Sequence, residues 1–198
     1  MNNQSTKNLN GKVIFWFLML NLLSVPLILL FFMPDYSTDP PTYSDGLMIV
    51  SEFSTAMLIC AATLAGIKLA DDRQILPSAG FTIFAIAQGI IMVTNFELIG
   101  KQMNREALEI TYQMYVGSNF LFIPSLLLIA TYRMFPKWLH YTTLFSGIPY
   151  IITNVMFLSG ERNIALLDAI ATVSWVLQTI VYIMWGIIFY KDSMHKPE

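Results

Sequence analysis

Two carboxylates and three amides stand inside long apolar stretches of this chain: Glu52 and Asp168, with Asn95, Asn119 and Asn154. Such groups are costly in apolar surroundings, so they turn toward one another or toward a water-filled space. Helical spacing says which of them share a face. Asp168, Thr172, Trp175, Thr179 and Tyr182 recur every three or four residues as one polar and aromatic stripe, which Gly186 extends. Glu52, Thr55, Thr63 and Gly66 fall near one face, and Ala85, Gln88, Gly89, Met92 and Asn95 near another. Tyr112, Tyr115 and Asn119 align, as do Ser146, Tyr150, Thr153 and Asn154, and Asn21 with Ser24. Glu97 points away from Asn95, since two residues turn a helix by about 200°. Carboxylates for charge, amides for hydrogen bonds and an aromatic wall at Trp175 would suit a small cation, an amine or a polar solute. The same residues have a plainer use. Asn and Thr often tie membrane helices together at ~0.6 kcal/mol each, and Asp168 and Glu97 lie near enough to helix ends to reach headgroup water.

Catalytic patterns are missing, and no catalytic residue is assigned. The two histidines, His140 and His195, stand at a helix start and in the tail. There is no His-Glu-x-x-His zinc motif and no phosphate-cradling glycine loop. Ser146-Gly147 lacks the preceding glycine of an intramembrane serine nucleophile. His140 could sense pH, but beside Lys137 and Trp138 it reads as a solvated interfacial residue. Residues 35–45 are rich in oxygen ligands without the spacing of a calcium loop, and read as a proline-stiffened acidic lid. No metal and no cofactor is expected.

The elements that must position these residues follow from composition. The chain has 198 residues, of which 56% are hydrophobic and 12% charged. A soluble domain carries about 25% charged residues, so a water-facing coat cannot be built. The net charge of −2 offers no basic footprint for nucleic acid. A spanning helix needs about 20 mostly apolar residues. Six stretches qualify: 13–33, 47–69, 76–98, 112–133, 138–158 and 164–190. Pro, Gly and charged residues punctuate the links, which are short enough to make neighbours antiparallel. Lys7, Lys12, Lys68, Arg73, Arg133, Lys137, Lys191 and Lys196 collect at one set of helix ends, against Lys101, Arg105 and Arg162 at the other. That bias places both termini in the cytoplasm. Glu52, Asn95, Asn119, Asn154 and Asp168 then share the outer half of the bundle.

The expected architecture is all-α. A tail at 1–12 precedes a single six-helix membrane domain at 13–190, and a second tail fills 191–198. Ala62 with Gly66 and Ala85 with Gly89 allow close helix packing. Cys60 and the scattered methionines read as packing residues. An offset of 59 aligns Pro77 with Pro136 and Thr94-Asn95 with Thr153-Asn154, a likeness that chance between apolar helices also produces.

The corner Phe135-Pro136-Lys137-Trp138-Leu139 after an apolar helix, followed by Gly147, Tyr150 and Gly160, resembles the small bacterial membrane proteins classed as domain of unknown function four-three-eight-six. The resemblance implies a six-helix protein of the bacterial cytoplasmic membrane and brings no activity with it. Three functions remain open: binding or transport of a small cation or polar solute at Glu52, Asn95, Asn119, Asn154, Asp168 and Trp175; a non-catalytic subunit or regulator contacting a partner membrane protein or a second copy; and a membrane enzyme using Glu52 or Asp168 on a lipid or isoprenoid. The lipid bilayer is a partner in each.

Overall fold

A computed structural model describes residues 3–31, 35, 37, 44–96 and 105–194. These residues form eight helices in chain order: α1 (Asn3–Leu22), α2 (Ser24–Phe31), α3 (Asp45–Asp71), α4 (Ile75–Phe96), α5 (Arg105–Ile129), α6 (Lys137–Phe145), α7 (Ile148–Leu158) and α8 (Ile164–Met194). Six segments are long and apolar enough to cross a membrane: Gly11–Ile28, Asp45–Asp71, Ile75–Phe96, Glu109–Ile129, Lys137–Leu158 and Ile164–Met194. The all-helical architecture is compatible with a multi-pass membrane protein. Glu97, Lys101, residues 36 and 38–43 of the acidic loop, His195 and Lys196 lie outside the described residues.

Two expected single helices are broken, both just before a proline. Pro26 and Pro149 have no N–H to give, so the carbonyl four residues earlier loses its intrahelical donor. The first helix breaks at Leu23 and the fifth at Ser146-Gly147. Backbone freed at membrane depth needs local partners. Next to the freed Leu22 and Phe145 carbonyls, the Ser24 hydroxyl donates to the Asn21 carbonyl at 2.6 Å, and the Ser174 hydroxyl donates across to the Ser146 carbonyl. Two outer boundaries also move: α1 starts at Asn3, inside the expected tail, and α8 runs on to Met194.

Caps fix the tight turns. The Ser44 hydroxyl accepts from the Leu47 N–H at 3.1 Å and starts α3. Gly160, at φ 100°, ends α7, where Glu161 N–H reaches the Met156 carbonyl at 3.0 Å and Gly160 N–H the Phe157 carbonyl at 3.1 Å. This is a Schellman closure, which needs the left-handed residue that glycine supplies. At Gly80 a side chain would collide with α5, since a Cβ would stand 2.7 Å from the Ile129 nitrogen.

Helices alternate in direction, so the bundle has two ends. One end carries the beginnings of α3, α5 and α8; the other carries the 72–74 and 130–136 turns. The start of α1 and the end of α8 share that second end, where Gly11 abuts the Phe189 carbonyl. The second end is filled by rings: Phe81 meets Trp185 at 5.1 Å, Phe84 meets Phe122 at 5.1 Å, and Tyr132 stacks on Phe189 at 5.4 Å. The outer girdle is apolar, with Phe53, Ile86, Val93, Phe120, Val155 and Ile180 exposed. Cys60 and Thr63 also face outward, so Cys60 is not the packed residue expected and Thr63 leaves the polar face assigned to it.

Candidate functional site

At the first end the bundle is hollow. A cavity of about 260 Å³ lies among α1–α5, α7 and α8. Helix α5 is its hub, because its polar residues stand at three- and four-residue spacing and each reaches a different neighbour. The Tyr112 hydroxyl donates to the Asp168 carboxylate of α8. The Tyr115 hydroxyl donates to Asn95 Oδ1 of α4. Asn119 Nδ2 donates to Asn154 Oδ1 of α7 at 2.9 Å. The break between α1 and α2 turns Asn21 and Ser24 onto α3, where Asn21 Nδ2 donates to the Ser54 carbonyl at 3.1 Å and Ser24 Oγ to Ser54 Oγ at 3.0 Å. Deeper on α8, the Tyr182 hydroxyl donates to Gln178 Oε1 at 3.0 Å.

Asn95, Asn119, Asn154, Asp168 and Trp175, singled out on spacing, all line this cavity. Glu52 does not. Three residues separate it from Thr55, which does line the wall, so it sits about 60° round α3 toward α4. There it is 5% exposed. The Asn95 side chain lies beside its carboxyl, yet neither carboxyl oxygen meets a partner in hydrogen-bond geometry. Glu52 is therefore behind the wall, with Asn95 between it and the cavity. Thr172 also leaves the stripe: it is exposed, and its hydroxyl donates to the Asp168 carbonyl at 2.8 Å. Gly186 packs against Phe15 and Met19 of α1 instead of extending the polar face.

Gln178 was not singled out by spacing. It is 3% exposed and lines the cavity, and its Nε2 has no hydrogen-bond partner. Its signal in the sequence is the four-residue step to Tyr182, which lets the phenol bond the amide oxygen and leaves the amide nitrogen turned away.

A second polar group closes the opposite end. Lys68 is 6% exposed and donates to Asp72 at 2.7 Å and to Asp192 of α8. The Tyr132 hydroxyl donates to Asp192 at 3.4 Å. Burial, and after it the Asp192 and Asp72 carboxylates, pushes the Tyr132 hydroxyl well above its ordinary range. His140 is not a free interfacial residue: its Nδ1 meets the Ala130 carbonyl, and its ring lies 6.0 Å from that of Phe135. It ties the 130–136 turn to α6.

In the turn between α7 and α8, at the same end of the bundle as the cavity, Arg162 lies 4.5 Å over the Phe157 ring, donates to the Phe157 carbonyl at 2.8 Å and faces Glu109 at 3.7 Å. In the acidic loop, the Ser37 hydroxyl and then its N–H bond the Asp35 carboxylate and hold it below the usual carboxylate range. No group of three or more metal-binding side chains is present among the described residues. Ala62 and Gly66, read as a close-packing pair, are buried inside the bundle, with Gly66 against Ser78 and Thr82 of α4. No family model, curated protein or solved structure matches this chain.

Proposed function

We propose that this chain is a cell-membrane protein that binds or passes a small polar solute or cation through the polar cavity. One observation carries the reading. A bundle in an apolar solvent gains by packing its interior, and this one leaves 260 Å³ open where its amides, hydroxyls and Asp168 are gathered. A single buried water needs only ~10–15 Å³, so the space is far larger than a trapped solvent site. It falls just below the ~300–1,000 Å³ of pockets for drug-sized ligands, which fits a small solute. The lysine and arginine bias puts both termini in the cytoplasm and the cavity mouth outside. The likeness of the Pro136-Lys137-Trp138-Leu139 corner to small bacterial membrane proteins accords with the cytoplasmic membrane of a bacterium.

The test is a solute screen on the purified full chain, read as ligand-induced thermal stabilisation. Wild type is compared with Ala171→Trp, which places an indole in the cavity wall. A solute that raises the melting temperature of wild type and not of Ala171→Trp supports the reading. Equal stabilisation of both proteins contradicts it.

A further inference from the structure

We infer that the solute is a small organic ammonium compound carrying one hydrogen-bond-accepting oxygen. This rests on the cavity being a solute site and names the class of solute it takes.

Charge comes first. Asp168 is in the wall, and Glu52 stands beside Asn95 behind it, with neither carboxyl oxygen in hydrogen-bond geometry to a partner. No Lys, Arg or His is among the described lining residues. A buried carboxyl without a partner is costly, and a cation nearby offsets that cost. Among the described lining residues an anion would meet only acidic and neutral groups.

Size and surface separate an organic cation from a bare metal ion. A cavity of 260 Å³ is far larger than one dehydrated ion needs. Three or more metal-binding side chains do not converge anywhere among the described residues. The wall is instead aromatic, with Tyr112, Tyr115, Tyr150, Trp175 and Tyr182. The hydroxyls of Tyr112, Tyr115 and Tyr182 are committed to Asp168, Asn95 and Gln178. Those rings are thereby held as fixed walls. Ring faces attract ammonium groups, most strongly where water is excluded, and cages of this kind select quaternary ammonium ligands.

The oxygen follows from Gln178. Gln178 lines the cavity; Tyr182 occupies its carbonyl, and its amide nitrogen is an unused donor buried just behind the cavity surface, within reach of a solute by a small turn of the side chain. Trp175 lies one turn away on the same face of α8. A molecule with its ammonium on the Trp175 ring and an oxygen on Gln178 Nε2 would satisfy both.

The probes are choline, tetramethylammonium, glycerol and sodium, each titrated into the purified full chain while the melting temperature is followed. Choline should stabilise most and tetramethylammonium less, with glycerol and sodium giving no specific shift. Gln178→Leu should erase the preference for choline over tetramethylammonium. Trp175→Ala should weaken both ammonium probes about tenfold or more, and Trp175→Phe should recover part of that loss. The melting temperature of each variant without probe reports whether it is folded. Stabilisation by glycerol without stabilisation by either ammonium probe overturns the ammonium assignment and leaves the solute site standing. An unchanged choline preference in Gln178→Leu overturns the role given to the oxygen. If no probe, charged or neutral, stabilises wild type, both the assignment and the solute site fall.

Discussion

The two ends of the bundle use polar residues in opposite ways. Lys68 is matched at close range by Asp72 and Asp192, and the neighbouring space is filled by Trp185, Phe81, Phe84 and Phe189. Around Asp168 polar groups are just as dense, but they surround a space and leave Glu52 and the Gln178 amide nitrogen unmatched. Polar residues that only glue helices should be matched and packed, as they are around Lys68. Unmatched groups facing or flanking a void are what a ligand site leaves when the ligand is away.

Substitutions can break this contrast, beginning with the largest effect. Lys68→Ala strands the Asp72 and Asp192 carboxylates in a mostly buried site, and removing one partner of a buried ion pair costs about 3–5 kcal/mol. Denaturant unfolding in mild detergent should show a loss of that order. A change under about 1 kcal/mol would mean that the cluster is solvated. Trp185→Ala empties a ring site that is 1% exposed and should cost about 3–5 kcal/mol. Trp175→Ala in the cavity wall should cost under about 1 kcal/mol, because that ring already borders open space. Equal losses for the two tryptophans would erase the distinction between the ends. Asn119→Leu removes the bond to Asn154, and intramembrane hydrogen bonds average about 0.6 kcal/mol. Its unfolding free energy should therefore move little while solute stabilisation is lost.

The smallest effect is a matter of pH. The folded state holds the Tyr132 proton more tightly than the unfolded chain does. Its contribution is complete below pH ~10, the ordinary tyrosine value, and is lost as pH rises beyond it. Tyr132→Phe should leave neutral-pH stability nearly unchanged and flatten the alkaline loss. An identical alkaline profile would show that neither burial nor the nearby Asp192 and Asp72 carboxylates hold that proton.

Much of the hollow end was legible in the sequence because its residues obey a local rule. Asn95, Asn119, Asn154, Asp168 and Trp175 recur at helical spacing, and three- or four-residue steps fix a face whatever the partner. Glu52 shows the limit of that rule. A face about 60° wide cannot tell a wall residue from one just behind the wall, and the choice depended on how α3 packs on α4. Gln178 stands beside the stripe, but whether an amide is satisfied is a tertiary property that spacing does not carry. The Lys68–Asp192 contact joins residues 124 apart, and Lys68 alone looks like one more interfacial cation. Both helix breaks had a local mark, in Pro26 and Pro149, but mean apolarity runs straight through a proline.

If the cavity admits a solute from outside, the space around Thr179 is water-filled and opens away from the termini. In a Cys60→Ser background, Thr179→Cys lines the cavity and Ile180→Cys faces the apolar girdle. A membrane-impermeant thiol reagent applied to intact cells should label Thr179→Cys and leave Ile180→Cys unlabelled. An unreactive Thr179→Cys, or equal labelling of the two positions, would contradict the account.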